Sequence, residues 1–324
     1  MKMLLLGKDG QVGRELQRTL APLGRLIACG RQEADLADAD ALRALVAQHR
    51  PRVVVNAAAY TAVDRAESEA ALAMRINGEA PGVLAAEVKR LGGWLVHYST
   101  DYVFDGYKGE AYTEADAPAP QNQYGHSKLA GERAIAASGC HHLIFRTSWV
   151  YGLHGGNFIK TMLRLARERA TLQVVKDQRG APTSAALIAR ITAQAIERVA
   201  GASATGKQSA TGKQGSSGER SSSGRQSSIA PAGGLYHLAA AGAVTWHEYA
   251  RFVIACGTEL GMPLRAKPGG VLPIASSDFP TAARRPANSR LDTSKLCAAF
   301  GVTMPDWREG VQDMLKQLHS AGES

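Results

Sequence analysis

Tyr124 and Lys128 stand four residues apart in Tyr124-Gly125-His126-Ser127-Lys128. On a helix that spacing puts both side chains on one face. A free phenol titrates near pH ~10, too high to exchange its proton readily at neutral pH. An ammonium beside it favours the phenolate and is expected to bring that value down. A pair so placed can hand a proton to a developing alkoxide, as carbonyl reduction requires. The pair alone is equally a surface tyrosine with a snorkelling lysine. Thr100 changes the balance, because it closes the apolar run beginning at Trp94, 24 residues before Tyr124. A hydroxyl at the C-terminal end of a parallel strand lies where α/β sheets bind ligands.

A third feature lies near the N-terminus. Gly7-Lys8-Asp9-Gly10-Gln11-Val12-Gly13 follows the apolar run Lys2–Leu6 and opens an amphipathic stretch. A tight strand-to-helix turn calls for glycine, and a pyrophosphate approaching the backbone tolerates no Cβ. The free N–H groups of the helix start then hold the anion. The second apolar run ends Cys29-Gly30-Arg31, with no carboxylate before Glu33. Arg31 suits a 2′-phosphate, so the expected cofactor is NADPH, with NADH possible.

The elements needed to position these residues can be read from the periodicity. Strand-like runs at Lys2–Leu6, Arg25–Cys29, Arg52–Asn56, Trp94–Ser99 and His142–Thr147 alternate with helix-like ones. Helices are predicted near 10–20, 40–50, 68–91, 122–137, 157–169 and 184–200, the last preceded by a short strand at Leu172–Val175. Such alternation predicts an α/β fold, a Rossmann-type doubly wound parallel sheet, followed by a smaller mixed α/β C-terminal domain for substrate. Residues 1–150, with part of 170–200, are assigned to the nucleotide-binding domain, and 151–169 with 235–324 to the substrate domain. Residues 201–234, rich in Gly, Ser, Ala, Lys and Gln with Ala-Thr-Gly-Lys-Gln twice, read as a disordered low-complexity insertion.

Composition narrows the classes. The chain has 324 residues, 45% apolar and 21% charged, as expected of a globular protein. No apolar run is long enough for a membrane span, and the opening Met1–Gly7 is too short for an export signal, so the expected location is the cytoplasm. Four scattered cysteines, without a CxxC pair, read as reduced thiols. The net charge of +9 includes +3 from residues 201–234, and the remainder shows no basic run interleaved with aromatics. Nucleic-acid binding is therefore not expected; a basic surface equally suits an anionic small substrate.

With the glycine turn, strand-end Thr100 and YxxxK in this order, the chain resembles the extended short-chain dehydrogenase/reductase superfamily. Within it, 7–16, Asn56–Glu67, Ser99–Gly106, Arg146–Gly152 and Arg284–Leu296 resemble the dTDP-4-dehydrorhamnose reductase family. The resemblance implies reduction of the C4 ketone of a dTDP-4-dehydro sugar. Tyr124 would be the proton donor, Thr100 a hydrogen-bond donor to the same oxygen, and Lys128 the holder of the nicotinamide ribose. It implies Gly10, Gln11 and Val12 at the pyrophosphate, within the turn framed by Gly7 and Gly13. Asp35 and Leu36 would meet the adenine, and Ala58, Ala59, Tyr60 and Thr61 would line the cofactor channel. Thr100, Asp101 and Trp149 are implied at the substrate, although Trp149 also reads as core packing. Asn157 and Arg284-Arg285 are secondary candidates for the diphosphate.

Some members of the family bridge two subunits through acidic side chains on Mg²⁺. Glu15 is present, but the segment after Thr183 reads Ser-Ala-Ala-Leu and supplies no carboxylate, so no metal and a monomer or weak homodimer are expected. Two other readings remain open. One is an epimerase or dehydratase of the same superfamily, against which Asp101-Tyr102 stands where dehydratases often carry Asp-Glu. The other is a non-catalytic NADP-binding subunit similar to the β subunit of methionine adenosyltransferase.

Overall fold

The computed structural model describes residues 1–205 and 233–322. Its centre is a six-stranded parallel sheet: β1 (Lys2–Leu6), β2 (Arg25–Cys29), β3 (Val53–Asn56), β4 (Trp94–Thr100), β5 (His141–Thr147) and β6 (Gly234–His237). The spatial order is 2-1-3-4-5-6, every neighbouring pair parallel. The order reverses between β1 and β3, and in doubly wound sheets the crevice beyond the strand ends at that point receives ligands.

The inner strands β1 and β3 are near-continuous apolar runs because both faces are covered. Leu4, Leu6 and Val54 face α2 (Ala39–His49) and α3 (Ala80–Leu91), among Leu42, Val46, Leu84 and Val88. Met3, Leu5, Val53 and Val55 face α1 (Gln11–Leu20), and this core continues into the C-terminal elements. Helix α4 (Gln123–Ser138), which carries Tyr124 and Lys128, packs beside α3 on the other face, with Ile135 in that core. The C-terminal elements are α5 (Phe158–Glu168), α6 (Ala185–Thr205), α7 (Trp246–Glu259), α8 (Ser294–Phe300) and α9 (Trp307–Ser320). Leu16, Ile188, Leu163, Tyr249 and Trp307 belong to one apolar cluster, so the smaller lobe shares a core with one sheet face.

Three assignments made from the sequence differ from the topology. Residues 235–237, placed at the start of the substrate domain, and Gly234, placed in the insertion, form the edge strand β6 against β5. Its partner could not be read from the residues, since strand pairing across 90 residues leaves no local trace. Leu172–Val175, given to the nucleotide-binding half, pairs instead with Val271–Ile274 in the smaller lobe. The helix expected to stop near 200 runs to Thr205, and the remainder of the supposed insertion, 206–232, lies outside the described residues. Among the described residues no helix is long and apolar enough to cross a membrane.

Candidate active site

The glycine turn opens at the C-terminal end of β1. Gly7 has φ +85°, and a Cβ there would lie 2.7 Å from the Ala58 nitrogen. A Cβ on Gly13 would lie 1.9 Å from the Gly7 carbonyl oxygen. These two glycines are required by the fold itself. Gly10 is different: a Cβ on it would meet only the Gly7 oxygen, at 3.5 Å. Nothing in the chain demands glycine there, whereas a ligand closing on the backbone would. Gly10 begins α1 without a side-chain cap and without an acid in the first turn. The first N–H groups of α1 therefore lack a helical acceptor and face the crevice with the positive end of the helix dipole. This donor set fits a dinucleotide pyrophosphate.

Beyond β2, a recess of about 640 Å³ is lined by Lys8, Asp9, Arg31, Gln32 and Glu33. Glu33 accepts the Gly30 N–H at 2.7 Å and forms an ion pair with Lys8. Arg31 is solvent-exposed, 3.9 Å from Asp35. Asp35 accepts the Ala37 N–H, while the Leu36 side chain is buried among Cys29, Leu42 and Val46, leaving only its backbone to a ligand. The loop 57–61 after β3 is clamped by Asn77. Its Oδ1 accepts the Tyr60 N–H, and its Nδ2 donates to the Tyr60 carbonyl and the Ser127 hydroxyl, all within 3.1 Å. Tyr60 directs its hydroxyl to Glu69. Asn77 sits in a π-helical segment, Arg75–Glu79, a distortion that recurs at functional sites. Sequence reasoning ran one continuous helix through it and missed the clamp, which depends on a register that periodicity does not encode.

Across the crevice, Asn122 caps α4 by accepting the Gly125 N–H at 2.8 Å. A Cβ on Gly125 would stand 2.2 Å from the Tyr102 carbonyl, so glycine lets the start of α4 lie against the turn after β4. This brings the Tyr124 phenol into the neighbourhood of the Thr100 hydroxyl, close enough for Thr100 to favour its ionised form. Tyr102 packs edge-on against Tyr124, centroids 5.6 Å apart, and its hydroxyl accepts from Arg285 at 3.0 Å. Arg285 also pairs with Asp64. Arg285 thus ties the 281–291 segment to the site rather than presenting a solvated cation. Asn157 is likewise engaged, donating to the Gln11 carboxamide and the Gly152 carbonyl.

The electrostatics correct one expectation. Burial pushes the Tyr124 phenol above its ordinary value; Thr100 eases the shift, and Lys128 does not enter it. The Lys128 ammonium, 2% exposed, instead donates to the Tyr98 carbonyl at 2.6 Å, with His97 Nε2 at 3.3 Å. Desolvation lowers it to about 8, opposed by Glu132 one turn along α4. Glu132 is itself held by Arg146 through two bonds of 2.8 and 2.6 Å. Asp101, 2% exposed, accepts from Thr100, keeps Oδ2 without a partner, and is pushed up by burial to about 6.

Trp149 lies two residues beyond β5, whose last residue, Thr147, pairs with Thr100. It adopts φ +49°, rare for a bulky side chain. Its indole stacks on Trp246 at 3.6 Å and lies over Gly180, where any Cβ would come within 2.5 Å of it. It is nonetheless partly exposed. Both sequence readings of Trp149, packing and ligand contact, are compatible with that placement. Among the described residues no group of three or more His, Cys, Asp or Glu side chains is gathered for a metal.

Comparisons with known proteins bear on the family of the chain. The family described as RmlD substrate binding domain matches residues 1–217 and 221–320. A dTDP-4-dehydrorhamnose reductase of Burkholderia thailandensis is 45% identical, over 98% of this chain and 100% of its own. Among solved structures, the dTDP-4-dehydrorhamnose reductase of Clostridium acetobutylicum superposes with a TM-score of 0.82 at 32% identity, over 98% of this chain and 99% of that one. The Bacillus anthracis enzyme of the same name, solved in complex with NADP, gives 0.79 at 32% identity, over 98% and 100%. The crevice with its uncapped helix, the Thr100–Tyr124 pair and full-length similarity to these enzymes lead to one conclusion: the chain belongs to the dTDP-4-dehydrorhamnose reductase family.

Proposed function

We propose that the protein reduces the C4 ketone of dTDP-4-dehydro-L-rhamnose to dTDP-L-rhamnose, with NADPH as the reductant. The observation that carries this reading is the meeting of Tyr124 and Thr100 beyond β4, with the buried Lys128 ammonium one helical turn away. The named relatives support the substrate, and the B. anthracis complex supports the cofactor. When bound, the nicotinamide supplies hydride to the ketone carbon.

The chain's own residues do the rest. The α1 N–H groups and Gly10 would seat the pyrophosphate, and loop 57–61, fixed by Asn77, would line the cofactor channel. Thr100 and Tyr124 would both donate to the C4 oxygen, placing dipoles where negative charge develops. A phenol above its ordinary value is fully protonated at neutral pH, which suits a donor to an alkoxide. Lys128 would hold the nicotinamide ribose, Asp101 a sugar hydroxyl, and the exposed edge of Trp149 the C–H face of the sugar.

The chain is read as a cytoplasmic enzyme, monomeric or weakly dimeric, without nucleic-acid or membrane partners. NADPH oxidation with dTDP-4-dehydro-L-rhamnose tests the function. Wild type should turn over with net consumption of NADPH, and Tyr124→Phe should lose about 10³-fold in kcat while still binding NADPH. Product formed without net NADPH consumption would indicate an epimerase or dehydratase. Binding without turnover by wild type would indicate a regulatory subunit.

A further inference from the structure

His97 is 1% exposed on β4, one residue before the carbonyl that holds Lys128. No sequence motif singles it out. Its Nε2 lies 3.3 Å from Lys128 Nζ, and its Nδ1 lies 3.3 Å from Asn56 Nδ2 on the adjacent strand, where the two residues are in register. An ammonium can only donate, so Nε2 is the bare nitrogen and Nδ1 carries the proton. That Nδ1–H in turn needs an acceptor. A half-turn of the Asn56 carboxamide puts Oδ1 there, at the loss of a 3.3 Å bond from the Ala58 N–H. The ring is neutral on independent grounds: burial and the Lys128 charge both hold it well below the ordinary histidine range.

We propose that His97 is a positioning residue for Lys128: its imidazole, oriented by Asn56, takes one N–H of the ammonium so that a single N–H is left for the cofactor ribose. The count follows from geometry. Of three donors, one goes to the Tyr98 carbonyl and one to His97. A long, flexible side chain fixed at two of three N–H groups retains little freedom in the direction of the third. The inference rests on the reading of Lys128 given above.

The groups facing the ammonium make its titration a usable signal. From β4 come neutral His97 and the Tyr98 carbonyl. From α4 comes Glu132, which favours the charge and is bound to Arg146 of β5; Tyr124, one turn earlier on α4, exerts no charge effect on it. Asp101 lies beyond Tyr124. The ammonium is present below about pH 8 and lost above it. Removing an acceptor from a buried cation disfavours the charged form further, so its titration moves to lower pH.

NADPH affinity, read by fluorescence titration between pH 6 and 10, and the alkaline limb of kcat/KM test the proposal in His97→Leu, His97→Gln and Lys128→Met. His97→Leu should bind NADPH about tenfold more weakly at pH 7, with its alkaline limb about one pH unit lower. His97→Gln, whose carboxamide oxygen can replace Nε2, should restore both. If His97→Leu does not fold, His97→Asn takes its place, polar but too short to reach Nζ. Wild-type behaviour of the Leu (or Asn) variant beside an impaired Lys128→Met would overturn the role of His97 alone. Equal impairment of both His97 variants with an unmoved limb would reduce it to packing. An unimpaired Lys128→Met would overturn the reading of Lys128, and this proposal with it.

Discussion

The two walls of the crevice are built in opposite ways. At the glycine turn the chain withholds side chains, leaving backbone N–H groups of α1 uncapped and Gly10 open to approach. At the β4–α4 wall it buries polar groups: Thr100, Asp101, His97 and Lys128 are each at most 5% exposed. The first wall is inexpensive to fold, because exposed N–H groups stay hydrated until an anion displaces the water. The second takes charge out of water, a cost that only a dense hydrogen-bond network offsets. Substitutions should therefore divide at the first wall into those that harm the fold and those that harm binding. At the second wall the two effects should be hard to separate.

Within the turn itself the division should be sharpest. Gly13→Ala forces a methyl group to 1.9 Å from the Gly7 carbonyl, so α1 must shift from β1. Overpacking of this kind costs about 1–3 kcal/mol, despite the better helix propensity of alanine. Gly10→Ala should leave stability within about 0.5 kcal/mol and weaken NADPH binding about tenfold. Thermal unfolding beside calorimetric titration of both variants checks this. Equal stability losses at the two positions would mean that Gly10 is also a packing glycine.

At the other wall Asp101 gives a pH signature. A carboxyl raised to about 6 in the fold and near its ordinary value in the unfolded chain is disfavoured as a buried anion. Its contribution to stability is present in full below the unfolded value and is lost as pH rises through about 6. Denaturant melts should thus show this site's contribution falling by on the order of 2–3 kcal/mol between pH 4 and 7. Asp101→Asn should remove that fall and be the more stable protein at pH 7, at the expense of turnover. A variant whose stability tracks the wild type across that range would place the Asp101 carboxyl in a wetter environment than the structure shows.

The same division explains what could be read from the residues. The glycine turn and the Tyr124–Lys128 pair are local, and spacing along one turn or one helix reveals them. The partners that fix them are distant in sequence. Asn56 meets His97 through strand register, Asn77 meets Tyr60 through a π turn, and Arg285 meets Asp64 across 221 positions. Helical spacing set Lys128 on the Tyr124 face but could not say that its ammonium would turn to the Tyr98 carbonyl. That direction depends on where β4 ends. The alternation of strands and helices was similarly legible, whereas the pairing of Leu172–Val175 with Val271–Ile274 was not, because two short apolar runs carry no address.

The smallest effect concerns the turn's polar rim and sharpens the claim that this wall works mainly by withholding side chains. Glu33 is the exception, a carboxylate at the end of β2 bonded to the Gly30 N–H and paired with Lys8. In that place an acid suits a ribose 2′-hydroxyl and opposes a 2′-phosphate, whereas Lys8 and Arg31 favour the phosphate. Glu33→Gln keeps an oxygen for Gly30, removes the charge and releases Lys8. The ratio of NADPH to NADH affinity should rise about three- to tenfold, mostly through tighter NADPH binding, and the gain should shrink with added salt because Lys8 and Arg31 are partly or fully exposed. An unchanged ratio would mean that the phosphate lies clear of Glu33, leaving discrimination to Arg31. A fall would mean that the Glu33–Lys8 pair holds the lysine in its binding position, so that even this rim works by orientation and not by net charge.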